Sequence, residues 1–442
     1  MPPPAGSTLW RNRDFLLLWG GQAVSQVGSQ VTILALPLVA IVLLHASTLQ
    51  VGLLAATATS AYLLVSLPAG VVVDRMAKRT LMLAADVAQV VVIGSVPVAY
   101  AAGLLSLGQL YVVALAASIL DVFFLVAYTS YLPVLVAPEQ LMDGNGKLST
   151  TQSLAQIAGP GLGALLVGVA GAALAMGSDA LSFAASAACL LAIRGREPRP
   201  STAPAATTPA ATVQASGGTS RARFRAEVGA GLRYVLREPI LRHTVAWNGS
   251  ANFFVIMVET LGPLFLIRTV HLRPAYVGVL LALGAVGGVA AGVTARPLIR
   301  RIGSARIAWV SMTVFALPGL LIPLAGPGWW VLLFAAGWIS WTFSATLCSI
   351  ALVSYQQATC PPELRGRVSA AQRWINWGTL PLGSLVGGAL GSAIGVHATL
   401  WLAVIGGCAS GLWLYLSPLR GQRDLATGPA GNGALRPAPE AR

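Results

Sequence analysis

Long apolar segments, separated by short charged loops, dominate this sequence. Of its 442 residues, 56% are hydrophobic and 10% are charged, whereas soluble domains carry roughly 25% charged residues. A helix needs about 20 apolar residues to cross a bilayer. Twelve segments approach that length: 15–44, 49–73, 80–102, 107–136, 147–169, 172–193, 243–268, 274–295, 304–325, 328–353, 367–393 and 396–417. The sequence therefore predicts an all-α integral membrane protein with twelve transmembrane helices.

The distribution of positive charge orients these helices. The net charge is +14, and every Lys and Arg except Arg268 and Arg273 falls on one side of the predicted topology. The positive-inside rule places that side in the cytoplasm, so we expect both termini there and the chain in a bacterial inner membrane. The loop charges are too sparse for a phosphate-binding surface, which argues against a nucleic-acid partner.

The middle of the chain differs in composition from both sides. Residues 194–223 are rich in Pro, Ala, Thr, Ser and Gly, which predicts a flexible linker. Apolar residues then recur at helical spacing over 224–236 with Arg between them, which predicts an amphipathic helix on the inner membrane surface. We thus expect a six-helix bundle over 1–193, a cytoplasmic linker over 194–242, a second six-helix bundle over 243–417 and a disordered cytoplasmic tail over 418–442.

Short motifs of the first half recur in the second. The matches are Gly70-x3-Asp74-x3-Lys78-Arg79 with Gly292-x3-Arg296-x3-Arg300-Arg301, Ser149-Thr150-Thr151-Gln152 with Ser369-Ala370-Ala371-Gln372, and Gly163 with Gly383. Two parallel six-helix repeats are an architecture of transporters, with the substrate bound at the interface between the repeats near mid-membrane.

The loop between the second and third segments carries a dense charge cluster: Gly70, Asp74, Arg75, Lys78 and Arg79. It is either a hydrophilic loop that obeys the positive-inside rule or a latch that opens and closes an inner face. The second copy has Arg296 in place of Asp74, so a cationic loop does not require the acid. This difference favours a cytoplasmic gate, in which Gly70 lets a neighbouring helix come close and Asp74 meets a helix N-terminus.

Four motifs belong together: the loop just described, Asn12-Arg13-Asp14-Phe15 leading into Ser25-Gln26-Val27-Gly28, the run from Ser149 to Gly159-Pro160, and Leu364-Arg365-Gly366-Arg367-Val368. They resemble motifs of the major facilitator superfamily, and more narrowly of its macrolide-efflux and siderophore-export branch of proton-coupled exporters. The resemblance implies export by alternating access, in a fold in which the second helix meets the eleventh and the fifth meets the eighth. Gly159-Pro160 resembles the exporter motif of the superfamily, and Pro160 with Gly159 and Gly163 would let this helix bend and pack closely.

One departure from the family pattern limits what the resemblance implies. The best-known proton-coupled drug exporters carry Arg-x2-Gln-Gly in their fourth helix, whereas this chain has no Arg between 80 and 146. The proton-relay role of that motif is therefore not carried over.

Acidic residues inside apolar segments are the best functional signal, because an Asp at mid-bilayer costs about 2.5–3.5 kcal/mol on insertion scales. Asp121 and Glu259 are candidates for proton carriers or partners of a cationic substrate, and a neutral structural carboxyl is the alternative for each. Asp86 and Asp179 lie nearer segment ends, which favours a structural role. Further polar candidates at helical spacing are Asn248, Asn252, Gln22, Gln26, Gln372 and Asn376.

The expected function is secondary active export of an amphipathic small molecule, such as a drug, a macrolide or a siderophore-like natural product. A proton is the expected coupling ion, with sodium left open. Two alternatives remain at this stage: a lipid or lysophospholipid translocator of the same fold, and a non-transporting membrane sensor or scaffold. The sequence has no ATP-binding loop and no zinc-ligand spacing, so we expect no enzyme, cofactor or metal site, and a monomer surrounded by membrane lipids.

Overall fold

The computed structural model describes residues 9–65, 69–70, 72–73, 76–194, 237–359 and 362–424. This part of the chain is all-α and contains no strand. Its α-helices are α1 (Arg13–Leu38), α2 (Thr48–Leu64), α3 (Lys78–Ala101), α4 (Leu107–Leu135), α5 (Leu141–Ala170), α6 (Ala172–Ala192), α7 (Pro239–Arg268), α8 (Pro274–Ile302), α9 (Ser304–Val310), α10 (Val331–Thr359), α11 (Pro362–Ala393), α12 (Val396–Ser410) and α13 (Leu412–Tyr415). A π-helical turn at Val39–Leu43 extends α1, and Ser311–Phe315 with the 3-10 helix Leu317–Leu324 extends α9.

Ten helical segments of the described residues are long and apolar enough to cross a membrane. The prediction of an all-α membrane architecture is confirmed, but this count is ten rather than twelve. The predicted second segment is not among the ten because its described helix, α2, has 17 residues. The predicted eleventh segment is missing from the ten because α11 is rich in glycine and serine, which lowers its hydropathy.

Short polar side chains begin several of these helices. Ser47 forms a capping box with Gln50 at the start of α2, and Ser106 accepts a hydrogen bond from the backbone of Gln109 at the start of α4. Asn12 caps α1 in the same way and also donates a hydrogen bond to the carbonyl of Leu135 at 3.0 Å. These caps satisfy backbone N–H groups that have no partner within the helix.

The turns between helices repeat along the chain. Six of the seven described residues with a left-handed backbone form pairs separated by 224–226 positions: His45 and His271, Gly103 and Gly328, and Gly171 and Gly395. After α1 the backbone N–H of Ala46 bonds the carbonyl of Ala40, and after α7 that of Leu272 bonds Leu266, both at 2.9 Å. The internal repeat in the sequence is thus matched by repeated backbone geometry.

The expected contacts between α2 and α11 and between α5 and α8 are confirmed, but other glycines make them. A Cβ built on Gly52 would lie only 2.6 Å from the Cα of Gly388. At Gly70, where the sequence predicted a close approach, no described atom lies within 4 Å of such a Cβ. The tight crossing is therefore at the first turns of α2, at the opposite end of this helix from the charged loop.

The predicted glycine face of α5 packs against α1 instead of α8. A Cβ on Gly159 would collide with Gln30, and one on Gly163 would lie 3.3 Å from Val31. The contact between α5 and α8 is made where a Cβ on Gly168 would lie 3.0 Å from Ala275. The helix α5 continues through Pro160 as one helix, Leu141–Ala170.

Parts of the predicted gate, linker and tail lie outside the described residues: Asp74, Arg75, 195–236 and 425–442. Of the gate, Lys78 and Arg79 begin α3, and Arg79 donates hydrogen bonds to the carbonyls of Leu190 and Leu191 at the end of α6. The first residues of the predicted tail pack against the start of α9. Asp424 accepts a hydrogen bond from the backbone of Ser304 at 3.0 Å.

Candidate functional site

A cavity of about 370 Å³ lies among α1 to α6. Its polar lining consists of Gln22, Ser25, Gln26, Ser29, Gln30, Asp86, Gln89, Asp121, Thr129, Asn145, Ser149, Thr151, Gln152 and Gln156. The residues from α5 belong to the helix that follows the predicted cytoplasmic loop after α4, so the cavity extends toward the predicted cytoplasmic end. The structure thus brings together Gln22, Gln26 and Asp121, which the sequence selected separately.

Aromatic side chains form a second part of the wall. Trp19, Tyr62, Phe124, Tyr128 and Phe183 line the cavity. The rings of Phe124 and Tyr128 stack at 6.1 Å, and Tyr62 meets Trp377 of α11 at 5.1 Å between ring centroids. The cavity therefore offers flat apolar surfaces beside its amides and carboxyls.

The charged side chains of the cavity lining are all acidic. Asp86 and Asp121 line the cavity, and none of the described lining residues is Lys, Arg or His. Buried polar atoms without a hydrogen-bond partner in the described part of the chain include Oε1 of Gln22 and Oε1 of Gln89. Both atoms are acceptors, so the site is suited to a ligand that donates hydrogen bonds or carries positive charge.

Asp121 is held in place by a neighbouring helix. Its Oδ1 accepts a hydrogen bond from Nε2 of Gln89 at 2.8 Å, and the same amide nitrogen donates to the carbonyl of Ala117 at 3.1 Å. Gln89 is buried, whereas Asp121 keeps part of its surface exposed. This carboxyl is therefore both oriented and accessible to a ligand.

Two buried aspartates of the first half, Asp86 and Asp179, differ in their partners. Asp179 is fully buried and accepts hydrogen bonds from the hydroxyls of Thr32 on α1 at 2.5 Å and Ser182 at 3.0 Å, as expected for a structural carboxyl that ties α1 to α6. Asp86 is also fully buried, but it lines the cavity, where the hydroxyl of Ser186 on α6 is its neighbour. The position near a segment end predicts the same structural role for both residues. The spacing of Asp86 and Gln89, which face the same way one turn apart, was the signal that could have separated them.

The candidates from the second half do not line this cavity. Nδ2 of Asn252 donates a hydrogen bond to Oδ1 of Asn248 at 2.7 Å, so these two amides of α7 are paired with each other. Glu259 lies further along the same helix and is exposed. Gln372 and Asn376 lie on α11 and are partly exposed.

Two tryptophans of α10 pack in the core. Trp338 is buried and donates to the carbonyl of Leu281 at 3.3 Å. Trp341 is buried against Gly319 and Gly407. Neither ring lines the cavity.

Comparison with known proteins identifies the family. Residues 18–380 match the model of the Major Facilitator Superfamily. The chain belongs to this superfamily. Membership in the superfamily and the ten apolar helices make it a multi-pass membrane protein, and they indicate a transporter rather than an enzyme.

One similar sequence and several solved structures cover nearly the whole chain. The multidrug efflux pump Tap of Mycolicibacterium fortuitum is 27% identical over 436 residues, which are 94% of this chain and 98% of Tap. A mutant of the nucleoside transporter NupG has a TM-score of 0.71 at 11% identity, covering 91% of this chain and 98% of NupG. A bacterial homologue of the iron transporter ferroportin, in an inward-facing state, has a TM-score of 0.71 at 16% identity, covering 92% and 98%. At these identities the two structures show a shared fold.

Proposed function

We propose that this superfamily member exports amphipathic small molecules from the cell by proton-coupled alternating access. The substrate class in view is a drug, a macrolide or a siderophore-like natural product. The observation that carries the proposal is the cavity among α1 to α6, which combines aromatic surfaces with unpaired acceptors and two carboxyls. A ligand with an apolar body and a polar or cationic group complements such a wall.

Contacts at the predicted outer end support an inward-facing conformation. Nη2 of Arg268 donates a hydrogen bond to the carbonyl of Ala46 at 2.6 Å, which joins the end of α7 to the turn before α2. Gly52 and Gly388 meet closely near the same end. The predicted outer end is thus closed, and the cavity extends toward the predicted cytoplasmic end. Alternating access requires this arrangement of an exporter that is about to bind its substrate from the cytoplasm.

The similarity to Tap favours efflux over import. Tap is described as a multidrug efflux pump, and the 27% identity extends over nearly all of both chains. The resemblance of Gly159-Pro160 to the exporter motif points in the same direction. At 27% identity the substrates of Tap are not assigned to this chain. The substrate class is therefore argued from the chemistry of the cavity.

The remaining predictions complete the proposal. We propose two six-helix bundles, twelve transmembrane helices in total, both termini in the cytoplasm of the bacterial inner membrane, and a monomer. The charged loop at 70–79 acts as the inner gate. Polar groups of the second half would approach the cavity when the inner face closes: Asn248, Asn252, Glu259, Gln372 and Asn376.

The proposal is tested by compound accumulation in a bacterial host that lacks its own major efflux pumps. Expression of the chain should lower accumulation of amphipathic cations such as ethidium, and an uncoupler should restore it. The panel also includes macrolides, siderophores and lysophospholipids. An Asp121→Asn variant should lose efflux of cations. The control is Asp143→Asn, whose carboxyl lies at the start of α5 in an ion pair with Lys147.

Other outcomes would point elsewhere. Unchanged accumulation of every compound would contradict export, and movement of lysophospholipids alone would favour a lipid translocator. Full, uncoupler-sensitive efflux by Asp121→Asn would remove Asp121 from the mechanism.

A further inference from the structure

The segment after α13 folds back onto the turn between α8 and α9. The carbonyl oxygen of Arg423 accepts hydrogen bonds from the backbone N–H groups of Ala305 at 3.1 Å and Arg306 at 3.4 Å. Oδ1 of Asp424 accepts from the backbone N–H of Ser304 at 3.0 Å and from its hydroxyl at 3.4 Å. Two segments that lie 120 residues apart in the sequence are thus joined at one end of the second half.

The corresponding end of the first half is joined in a different way. Arg79 is the second residue of α3, and its guanidinium donates to the carbonyls of Leu190 and Leu191 at the end of α6. The second residue of α9 is Ala305, which has no polar side chain. In the second half the backbone after α13 makes this connection instead, so no arginine side chain is needed for it.

Four exposed arginines surround this junction. We call them the arginine patch: Arg301, Arg306, Arg420 and Arg423. None of their guanidinium groups forms an ion pair or a hydrogen bond within the described part of the chain. Between Glu259 and Asp424 the sequence contains one acidic residue, Glu363. Asp424 itself bonds to Ser304 and forms no ion pair with a described residue. The patch therefore presents positive charge that is suited to an anionic ligand.

The surroundings of the patch are those of a membrane surface. Trp413 and Leu416 are exposed at the end of the last apolar segment, and Arg420 follows on the short helix Pro418–Gly421. Its guanidinium lies 4.5 Å from the ring centroid of Tyr415, and that ring meets Trp309 of α9 at 5.4 Å. Tryptophan and tyrosine are enriched where the apolar core of a bilayer meets its headgroups. The patch thus lies at the depth of the lipid headgroups.

We propose that the arginine patch binds the headgroup of an anionic phospholipid, whose acyl chains lie along Trp413 and Leu416. A guanidinium matches phosphate oxygens with parallel N–H donors. The positive-inside rule explains why these arginines lie on one side of the membrane, but it does not require two distant segments to meet. Each loop alone carries little charge, and docking of the last segment creates the site. The inference does not depend on what the chain transports.

Lipid binding to the purified full chain in detergent tests the proposal. Native mass spectrometry with equal amounts of phosphatidylglycerol and phosphatidylcholine measures the preference, and the unmodified chain should retain phosphatidylglycerol. The patch variant replaces three arginines: Arg306→Gln, Arg420→Gln and Arg423→Gln. The control variant replaces three exposed arginines elsewhere on the same predicted side: Arg11→Gln, Arg237→Gln and Arg242→Gln. The patch variant should bind phosphatidylglycerol at least about tenfold more weakly, because each arginine near an anionic lipid surface contributes about fivefold.

The control variant should stay within about twofold of the unmodified chain. Equal binding by the unmodified chain and the patch variant, or an equal loss in the control variant, would overturn the proposal. Inorganic phosphate and the deacylated headgroup glycerophosphoglycerol separate a lipid site from a site for soluble anions. Phosphatidylglycerol should raise the melting temperature of the unmodified chain, whereas these two compounds at the same concentration should not. An equal rise with either compound would refute the assignment to a lipid.

Asp424→Ala tests whether the docked segment creates the site. This variant loses both hydrogen bonds to Ser304, and it also removes a negative charge beside the patch. If charge alone attracted the lipid, the variant would bind phosphatidylglycerol more tightly. Because the patch requires Arg420 and Arg423 to be held at the turn, we expect binding to weaken by about threefold or more. Equal or tighter binding would contradict the proposal that docking creates the site.

Discussion

Adding one methyl group at the crossing of α2 and α11 should open the predicted outer end of the molecule. In Gly52→Ala, the new Cβ would lie 2.6 Å from the Cα of Gly388 and 2.7 Å from the carbonyl oxygen of Ser384, whereas ordinary contacts are 3.4–4 Å. Because the nearest atoms belong to the backbone, no side chain can turn away. The helices must separate by about 0.8 Å or more to restore normal contact.

The cost of this overlap sets the size of the effect. Overpacking of a tight contact typically costs about 1–3 kcal/mol, which corresponds to a shift of about 5- to 150-fold in an equilibrium between two conformations. Only the conformation in which α2 and α11 cross closely bears this cost. Gly52→Ala should therefore shift the population from the inward-facing toward the outward-facing conformation.

Pulsed electron paramagnetic resonance between spin labels measures this shift. The labels are attached through Leu49→Cys and Ile394→Cys in a background without native cysteines, because both side chains are exposed and flank the crossing. Gly292→Ala is the matched control, since it also replaces a helical glycine but its Cβ would meet nothing within 4 Å. A distance distribution for Gly52→Ala that equals that of the control would refute the reasoning.

Two further predictions concern single contacts. Arg268→Ala removes the hydrogen bond to the carbonyl of Ala46, which should destabilise the closed outer end by about 0.5–1.5 kcal/mol and lengthen the same label distance, whereas Arg273→Ala should leave it unchanged. Gly28→Ala places a Cβ 2.5 Å from Oδ1 of a buried carboxyl and should lower stability by about 1–3 kcal/mol, measured as a lower melting temperature. Gly20→Ala, with nothing within 4 Å, should not lower it, and equal melting temperatures for the two variants would contradict the prediction.

Much of the architecture could be predicted from the sequence. Hydropathy and the near absence of charge identify membrane helices because a bilayer demands apolar length whatever the neighbours are. Gln22, Gln26 and Asp121, which the sequence singles out as polar candidates, line one cavity, because polar side chains within apolar helices avoid the lipid and face the protein interior. Their roles in transport stay predictions. The repeated motifs located corresponding helices of the two halves.

Helical spacing was less informative about which faces meet. Gly159 and Gly163 form a small-residue face, as predicted, but that face packs against α1. A stripe of glycines shows that some backbone comes close, and it does not say which one. The partner depends on the rotation of each helix about its axis, which only the whole packing arrangement sets.

The sequence by itself determined the class of protein, the approximate positions of its helices and several polar groups of its cavity, because hydropathy is a local property. The tertiary structure decided which of these aspartates faces the cavity. Asp179 and Asp86 look alike in sequence, each within an apolar helix and near its end. They differ because Thr32 reaches Asp179 from another helix, whereas Asp86 lines the cavity together with Gln89.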